Sequence, residues 1–544
     1  MYGLRRFIIA ITLIIGSFFA LGAVRKHLDP NRGKPTDENA EDARWIATSQ
    51  HWLDRSACRW IGICGLAHYH PDPAGKYRRA HKKERRDLKV GVDDIVPGPM
   101  DQDGRIRPED FKVDDNMILR DVPQFVLDYA PLVHLYSGEE FWPSDLSEHL
   151  KYMIPSINET TLKSKHLKRT VHNLHKLNEG VSGRVLFLKS EDDVEERPDW
   201  LGSSWNKPVP FPEEEAEEEV ESWLDPYGID LMTPKSQHKI ADPRRIPDVQ
   251  QHNPQQPELR RAKRGFPEDK TKRPGYSNAP AHLVLLEKPN NITDAFWFYF
   301  YSYNLGPAPL NIRFGNHVGD WEHALVRFQN GLPKAIFCSA HSGGLAYAYK
   351  AVEKGGKDKK RPVLYSAIGS HAMYATPGRH PYILPFGILA DVTDKGPLWD
   401  PSLNYKAFWY NTTITHNADA RSLPAFPSTN STGEIPDVSL PTNDTFLPQS
   451  VPGVPTKEIP LNTLIPAKDN PEAAISWFHY RGHWGDKFYT LGDWRQWRFV
   501  GQYHYVNGPL GPRYKNLGRS KVCQSGGSCT ILETLKGRKS WLSK

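Results

Sequence analysis

Apolar and polar positions are most regularly patterned in the middle of the chain, between residues 282 and 368. Five runs there have the length and the aromatic or β-branched content of buried strands: His282–Lys288, Ala295–Tyr303, Gly319–Phe328, Lys334–His341 and Val363–Ile368. Asn330-Gly331 separates the third run from the fourth, and this pair favours a two-residue hairpin turn. The pattern predicts a mostly β protein, an antiparallel β-sandwich with short peripheral helices.

The sequence around these runs changes in composition at several points, which predict how the 544 residues are organised. The 46 prolines and 41 glycines predict long disordered insertions. An apolar strand signal at Val122–Leu135 opens the folded part, and Ser144 is expected to cap a short helix. The predicted segments are a signal anchor or signal peptide (1–24), a polar lumenal stalk (25–117), the β-sandwich core (118–414) with a disordered insertion at about 205–276, a Pro/Ser/Thr-rich insertion (415–470) and the C-terminal part of the same domain (471–544).

An uncharged apolar run, Phe7–Val24, lies between Arg5-Arg6 and Arg25-Lys26. Its length is at the short end of a membrane-spanning helix and exceeds the core of a typical signal peptide. We therefore expect residues 7–24 to anchor the chain in a membrane of the secretory pathway, with the bulk of the chain lumenal. Cleavage of the signal and secretion is the alternative.

Glycosylation sequons and cysteines fit that compartment. The predicted glycosylation sites are Asn158, Asn291, Asn411, Asn430 and Asn443. Cys58 with Cys64, and Cys523 with Cys529, each enclose five turn-prone residues and are predicted disulfides, although all five cysteines as free thiols is the alternative. Cys338 is left over in an apolar run and is expected to be a buried small side chain. The net charge of +6 comes from separate acidic and basic blocks, which argues against nucleic-acid binding.

The candidate chemistry lies in Asn316–His323, which holds two imidazoles and two carboxylates at the start of the third strand. Strand alternation puts Asp320 and Glu322 on one face, together with core positions, whereas His323 points to the other face. Buried carboxylates need a compensating cation, so we predict a divalent cation, Ca²⁺, Mg²⁺ or Mn²⁺, with His317 as a third ligand. A hydrogen-bond network without a metal is the alternative.

The predicted hairpin extends this ligand set. If Asn330-Gly331 is the centre of the turn, Glu322 lies opposite Ser339 and Asp320 lies opposite His341. The predicted metal ligands are therefore His317, Asp320, Glu322 and His341. His371 ends another strand and is expected to be structural. Gly482–Asp486 repeats the His-x-Gly-Asp spacing without the following Trp-Glu, and is expected to be an aromatic turn.

Several ordered motifs resemble the fungal vacuolar protein sorting-associated protein 62 family. They are Asp128-Tyr-Ala-Pro-Leu-Val, Tyr301-Ser-Tyr-Asn-Leu-Gly306, Gly315-Asn-His-Val-Gly-Asp-Trp-Glu-His323, Ser339-Ala-His-Ser-Gly-Gly-Leu-Ala-Tyr347, Ala367-Ile-Gly-Ser-His-Ala-Met-Tyr374 and Gly508-Pro-Leu-Gly-Pro-Arg513. The resemblance covers roughly 120–400 and 474–530. It implies a role in delivering proteins to the vacuole and does not imply a known reaction.

A more distant similarity links the cluster to the necrosis- and ethylene-inducing peptide-like proteins, whose motif is Gly-His-Arg-His-Asp-Trp-Glu. There the first His, the Asp and the Glu help to bind a divalent cation on a β-sandwich, at a site tied to recognition of membrane glycolipids. The matching positions are His317, Asp320 and Glu322, while the motif's second His is Gly319 in this chain and its upstream Asp has no counterpart. The resemblance implies metal binding but not toxin activity.

Three functions remain open at this stage. The first is a membrane-anchored lumenal sorting protein whose metal recognises a glycan or a lipid. The second is a metal-dependent hydrolase, in which His323 or His341 acts as base. The third is a structural sorting factor without a metal. The sequence has no nucleophile elbow, phosphate-binding glycine loop or Ser-His-Asp order that would name a reaction.

Overall fold

The computed structural model describes most of the predicted core and several flanking segments. The described residues are 11–13, 16–17, 20, 29, 34, 36–71, 119–158, 160–162, 169–178, 181–210, 274–383, 389–411, 463–499, 501–525, 528–535 and 540–542. The rest of the predicted insertions at 205–276 and 415–470, and most of the 7–24 run, lie outside them.

Strands dominate these residues. They are β1 (Ile63–Cys64), β2 (Leu132–His134), β3 (Met153–Ile157), β4 (Thr160–Thr161), β5 (Leu186–Ser190), β6 (Val209–Pro210), β7 (Gly275–Tyr276), β8 (Ala281–Lys288), β9 (Ile292–Asn304), β10 (His317–Gln329), β11 (Leu332–Ala340), β12 (Gly343–Ala348), β13 (Lys354–Gly355), β14 (Arg361–Ser366), β15 (Met373–Tyr374), β16 (Gly378–Ile383), β17 (Leu389–Thr393), β18 (Leu398–Trp399), β19 (Tyr405–Tyr410), β20 (Leu464–Pro466), β21 (Arg498–Phe499), β22 (Gln502–Tyr503), β23 (Thr530–Leu532) and β24 (Ser540–Leu542).

The α-helices are short. They are α1 (Asp37–Thr48), α2 (Trp52–Ile61), α3 (Gln124–Asp128), α4 (Leu146–Leu150), α5 (Asp199–Gly202) and α6 (Ser476–His479). Single 3₁₀ turns lie at Leu66–His68, Leu174–Asn178, Gly183–Val185, Val194–Glu196, Ser204–Asn206, Pro309–Asn311, Tyr349–Ala351, Pro401–Leu403 and Pro512–Tyr514. The mostly β prediction with short helices is confirmed.

One large sheet forms the centre of the fold. Within the described residues its order is β20-β19-β8-β9-β10-β11-β12-β23-β24. The five strands β8 to β12 are antiparallel neighbours, whereas β19 joins β8, and β23 joins β12, as parallel strands. Almost every residue of β9 and β10 is buried. These two strands therefore lack a clear alternation of buried and exposed residues, because other layers cover both of their faces.

A second sheet covers one face and makes the sandwich. Its order is β13-β14-β2-β18-β7-β6, with β15 paired to β14. Trp297, Tyr299 and Val326 of the large sheet share one apolar core with Leu364 and Trp399 of the second sheet. The opposite face is covered by segments from 141–201 and 474–531, which pack on Phe298, Phe300 and Trp321. The large sheet is thus the middle layer of the fold.

The hairpin between β10 and β11 confirms the predicted turn and corrects the predicted register. Asn330 and Gly331 both have positive φ, 52° and 74°, as a two-residue hairpin turn requires. A register shift between Arg327 and Phe328 then places Ala324 opposite Cys338. The predicted pairing of Glu322 with Ser339 and of Asp320 with His341 is wrong by one residue, because the bulge adds a residue to one strand.

The predicted stalk contains a folded part. α1 and α2 pack on the C-terminal block, where β1 pairs with β21 and the core includes Phe488 and Leu491. Arg498 bonds Asp29 at 2.9 Å and also pairs with Asp42. The prediction of a polar stalk over 25–117 is therefore wrong for residues 36–71. Polar composition was misleading because the inward-facing side chains of α1 and α2 include Glu41 and Asp54.

Three further boundaries differ from the predictions. Residues 205–210 and 274–276 are ordered, because β6 pairs with β7. β20 pairs with β19, so residues 464–466 belong to the sheet and not to an insertion. Part of the Val122–Leu135 strand signal is the helix α3. The cap of α4 is Asp145 instead of Ser144, and its side chain accepts a hydrogen bond from the Ser147 amide.

Among the described residues, no helix has the length and apolar character needed to cross a bilayer.

Both predicted cysteine pairs are disulfides in the structure. Their Cα–Cα separations are 4.4 Å for Cys58–Cys64 and 5.4 Å for Cys523–Cys529. The first bond ties α2 to β1, and the second precedes β23. Cys338 is free and fully buried, and burial raises the pKa of its thiol.

Candidate functional site

Gly319 sets the geometry of the candidate site. It lies inside β10 with φ of +70°, a left-handed conformation that side chains rarely adopt. Strict alternation would separate Val318 from Trp321, but both contribute to the same core layer. The kink at Gly319 interrupts the alternation, and the negative charge of Asp320 acts on His317 although the two residues are three apart.

Two glycines allow β10 to pack directly on the segment 483–486. A Cβ at Gly319 would overlap the carbonyl oxygen of Trp484, and a Cβ at Gly485 would overlap the carbonyl oxygen of Val318. The two His-x-Gly-Asp segments therefore meet backbone to backbone, with their glycines in reciprocal contact. This packing leaves no room for a side chain at position 319.

His371 pairs with Asp320 in the centre of the cluster. Its Nδ1 lies 3.0 Å from Asp320 Oδ2, its Nε2 lies 3.0 Å from the Phe141 carbonyl, and its ring stacks on Tyr301 at 3.7 Å. A carboxylate oxygen and a carbonyl oxygen face the two ring nitrogens, a geometry that favours the doubly protonated imidazolium. Burial alone would lower the pKa of His371, but the hydrogen bond to Asp320 and the charge of Glu139 outweigh it and raise this pKa.

Glu322 is buried beside Asp320 and accepts a hydrogen bond from the Ser339 hydroxyl. Burial, reinforced by the negative charge of Asp320, raises the pKa of Glu322 to about 7. Lys515, Ser339 and His341 act in the opposite direction but do not cancel this effect. The carboxyl group is thus under-compensated by the protein's own cations.

His341 connects the cluster to Asp391. Its Nε2 lies 2.8 Å from Asp391 Oδ2, and Asp391 also accepts from the hydroxyls of Ser370 and Tyr374, both at 2.7 Å. Burial would lower the pKa of His341, but the hydrogen bond and charge of Asp391 raise it. Asp391 lies in β17, which pairs with β16 alone among the described strands. The His341–Asp391 pair thus ties this two-stranded ribbon to the sandwich.

The four predicted ligands share one cluster without forming a closed coordination shell. Within the described residues, no hydrogen-bond partner is found for Asp320 Oδ1, Glu322 Oε1, His317 Nε2 or His341 Nδ1. The one described group of three ligand atoms within 4.8 Å of one another is Asp42, Cys58 and Cys64, and both cysteines are disulfide-bonded. The donors suit a hard divalent cation, but their side chains would have to rotate to surround it.

His323 is separate from this cluster, as predicted. Its ring contacts Phe298 and Phe337 on the opposite face, and burial lowers its pKa well below the usual value. Neither ring nitrogen has a hydrogen-bond partner in the described structure. His323 is therefore not positioned to act as base at the cluster, which removes one element of the hydrolase hypothesis.

Sequence reasoning missed the outer residues of the cluster. Glu139 accepts from the amides of Glu140, Phe141 and Gly369, and Asp391 holds His341. Both are far from the central motif in the sequence. His371 was expected to be structural, and its ion pair with Asp320 had no local signal beyond the preceding Gly369-Ser370 turn.

A cleft of about 410 Å³ lies apart from the cluster, between α1 and the C-terminal block. Its walls carry Glu41 and Arg44 on one side and Lys487 and Thr490 on the other, and Asn158 contributes to its lining. The mixed charges do not define a ligand class.

The sequons that the structure describes are on the surface. Asn158 and Asn291 are exposed with φ of 52° and 53°, and Asn411 is exposed at the end of β19. Asn430 and Asn443 lie outside the described residues. The exposure of the first three is compatible with glycan attachment.

The fold and the cluster together define a β-rich sandwich protein with a buried His/carboxylate network. A family profile described as Vacuolar protein sorting-associated protein 62 matches residues 289–411. Vacuolar protein sorting-associated protein 62 of Saccharomyces cerevisiae is 31% identical over 438 residues, covering 76% of this chain and 70% of the relative. The provisionally named vacuolar protein sorting-associated protein TDA6 of the same yeast is 30% identical over 434 residues, covering 74% and 68%.

The chain belongs to the vacuolar protein sorting-associated protein 62 family, and the resemblance to that family is confirmed. Among solved structures, the crystal structure of Necrosis and Ethylene inducing Protein 2 from the causal agent of cocoa's Witches' Broom disease is 19% identical, with a TM-score of 0.15. It covers 21% of this chain and 54% of that protein. Family membership supports a general role in vacuolar protein sorting.

Proposed function

We propose that this member of the family is a membrane-attached sorting protein whose His/carboxylate cluster binds a divalent cation and recognises a glycan or a lipid headgroup. The observation that carries the proposal is the excess of carboxylates. Glu139, Asp320, Glu322 and Asp391 meet two histidines, His341 and His371, and Lys515 acts on Glu322 from outside. Four potential negative charges thus face three positive ones in a buried setting, where unpaired charge is costly.

The ligand atoms that remain available also favour a cation. Asp320 and Glu322 each use one carboxylate oxygen and keep the other, while His317 and His341 are partly exposed. Ca²⁺, Mg²⁺ and Mn²⁺ accept this combination of oxygens and imidazoles. A bound cation would offset the carboxylate charge and offer a coordination position to sugar hydroxyls or a phosphate.

A second candidate is a structural sorting factor without a metal. It is favoured by the pairs that already exist, His371 with Asp320 and His341 with Asp391, and by ligand atoms that are not gathered within 4.8 Å. In that case the cluster serves to fix the β16–β17 ribbon and the 369–371 turn.

Cation titration of the purified full chain separates the two candidates. We expect Ca²⁺, Mg²⁺ or Mn²⁺ to bind at or below millimolar concentration, and Asp320→Asn or Glu322→Gln to weaken binding by about tenfold or more, because each removes an anionic ligand. Isothermal titration calorimetry measures both. Glu353→Gln, an exposed carboxylate outside the cluster, is the matched control.

If none of the three cations binds at millimolar concentration, the metal proposal fails and the structural alternative stands. If a cation binds but glycan and lipid ligands do not depend on it, the recognition part of the proposal fails. Missorting of a vacuolar cargo in cells carrying Asp320→Asn, but not Glu353→Gln, would connect the cluster to the sorting role.

We also propose that the bulk of the chain is lumenal and that residues 7–24 anchor it, with secretion after cleavage as the alternative. Two disulfides and three exposed sequons support an oxidising, glycosylating compartment. We expect endoglycosidase treatment of the protein from cells to increase its gel mobility. Asn158→Gln, Asn291→Gln and Asn411→Gln should each remove one step of that shift.

A matched control for this experiment is Asn311→Gln, which lies in a turn with positive φ but in no sequon. An unchanged mobility after endoglycosidase, together with protease access to the chain in sealed microsomes, would contradict the lumenal orientation.

A further inference from the structure

The helix α2 presents an apolar face to solvent. Trp52 and Leu53 are 65% and 62% exposed, and Trp60 follows them on the same side of the helix at 100° per residue. Large apolar side chains grouped on one exposed helix face are unusual in a soluble protein and mark a contact surface.

The orientation of α2 is fixed by its other face. Asp54 accepts hydrogen bonds from the amides of Gly65 at 3.0 Å and of Ala67 at 3.2 Å, and Cys58 is bonded to Cys64 in β1. Asp54 and Cys58 are four residues apart and both buried. Because these contacts hold a polar side chain and a disulfide inside, the apolar face cannot turn inwards without breaking them.

The accessible charged residues of α2 itself are cationic. Asp54 is the acidic residue of α2 and is buried, whereas Arg55 and Arg59 lie at least partly in solvent. A short helix with Trp and Leu on one side and arginines beside them is typical of contact with a membrane interface.

The chain itself limits how far this helix lies from the predicted anchor. Asp29 is buried and bonded to Arg498, and Arg498 lies in β21 opposite Cys64 of β1. Four residues lie between Val24, the end of the apolar run, and Asp29, so the two positions are five residue steps apart. Fully extended, they reach roughly 17 Å. An anchored run would therefore hold the α1–α2 unit next to the bilayer surface.

We propose that the outward face of α2 lies in the headgroup region of the membrane that anchors residues 7–24, with Trp52 and Leu53 inserted among the lipids. This inference rests on the proposed membrane attachment and is independent of the cation. It makes α2 a second contact that fixes the orientation of the sandwich relative to the bilayer.

Spin labelling of the full chain in phosphatidylcholine/phosphatidylserine vesicles tests this contact. A nitroxide at Leu53→Cys should be shielded several-fold from a water-soluble nickel relaxant and exposed to oxygen, compared with one at Leu332→Cys. Leu332 is 56% exposed at the start of β11 and is the matched control. Labelling is specific because Cys338 is buried and the other cysteines are disulfide-bonded.

Equal nickel access at both labels, in protein that floats with the vesicles, overturns the inference and leaves the anchor intact. Protein that does not float overturns the anchor and the inference together. Dipolar broadening between labels at position 53 indicates that a second copy covers the face, which also overturns it. If Leu53→Cys disturbs the nearby disulfide, Trp52→Phe should reduce the share of fluorescence quenched by brominated lipids, while Trp205→Phe should not.

Discussion

Replacement of Gly319 by Ala is expected to destabilise the protein by about 4 kcal/mol or more, a loss that falls in the exceptional class for one methyl group. Two effects combine. The left-handed φ of +70° is unfavourable for any residue with a Cβ, by about 1–2 kcal/mol. The new Cβ would also overlap the Trp484 carbonyl, which belongs to the reciprocal contact between β10 and the segment 483–486. Urea denaturation of the full chain, followed by tryptophan fluorescence, measures the loss.

Gly315→Ala separates these two effects. Gly315 has a φ of +83°, and a Cβ built on it meets nothing within 4 Å. It should therefore lose only the conformational part, about 1–2 kcal/mol. Equal losses for the two variants would mean that the backbone contact with Trp484 contributes nothing beyond the strain. The Asp320–His371 pair provides an independent readout, since Gly319→Ala should also alter the titration of His371 seen by NMR.

Replacement of Asp294 by Ala is expected to cost about 3–5 kcal/mol, because it leaves buried cations without their counter-ion. Asp294 is fully buried, receives two hydrogen bonds of 2.7 Å from Arg327, and pairs with Lys288. The same cations hold the C-terminal block, since Lys288 bonds the Arg519 carbonyl and Arg327 bonds the Ser520 carbonyl, both at 2.6 Å. Loss of Asp294 should therefore loosen the 515–521 loop as well.

The control for this prediction lies on the same hairpin. Glu287 pairs with Arg120, and both side chains are largely solvent-exposed. Glu287→Ala should change the unfolding free energy by no more than about 1 kcal/mol. Hydrogen exchange at residues 515–521 should rise in Asp294→Ala and stay unchanged in Glu287→Ala. A similarly small loss of unfolding free energy in both variants would show that solvent reaches Lys288 and Arg327, and that the network is not shielded from water.

The central strands were predictable because their aromatic and β-branched runs are long and because Asn330-Gly331 favours a two-residue hairpin turn. The sequence could not give the bulge between Arg327 and Phe328, because side-chain pattern on a strand buried on both faces does not fix register. It also misplaced residues 36–71. The amide that bonds the buried side chain of Glu41 is 450 residues away, and one that bonds Asp54 is 11 residues away, so no helical pattern indicates either contact.

The inner part of the candidate site was predictable from local spacing. Asp320 and Glu322 both act on Tyr301 on one face, as alternation requires, whereas His323 contacts Phe298 on the other face. His317 lies in the cluster because Gly319 has a left-handed conformation, which the alternation rule does not predict. His371, Asp391 and Glu139 arrive from other strands and turns, so their contacts depend on tertiary packing and were outside the reach of the motif.

Arg498 forms ion pairs with Asp29 and Asp42. These partners precede it in the chain by 469 and 456 residues, respectively. During synthesis α1 and α2 emerge long before the C-terminal segment on which they pack. They therefore lack this contact while the sandwich folds. Contacts this distant in sequence are closed late and are slow to find. The N-terminal helices and the C-terminal block would then dock as the final step of folding. A chain shortened by a few dozen residues at its C-terminus would leave both ends without this contact and accessible to quality-control proteases.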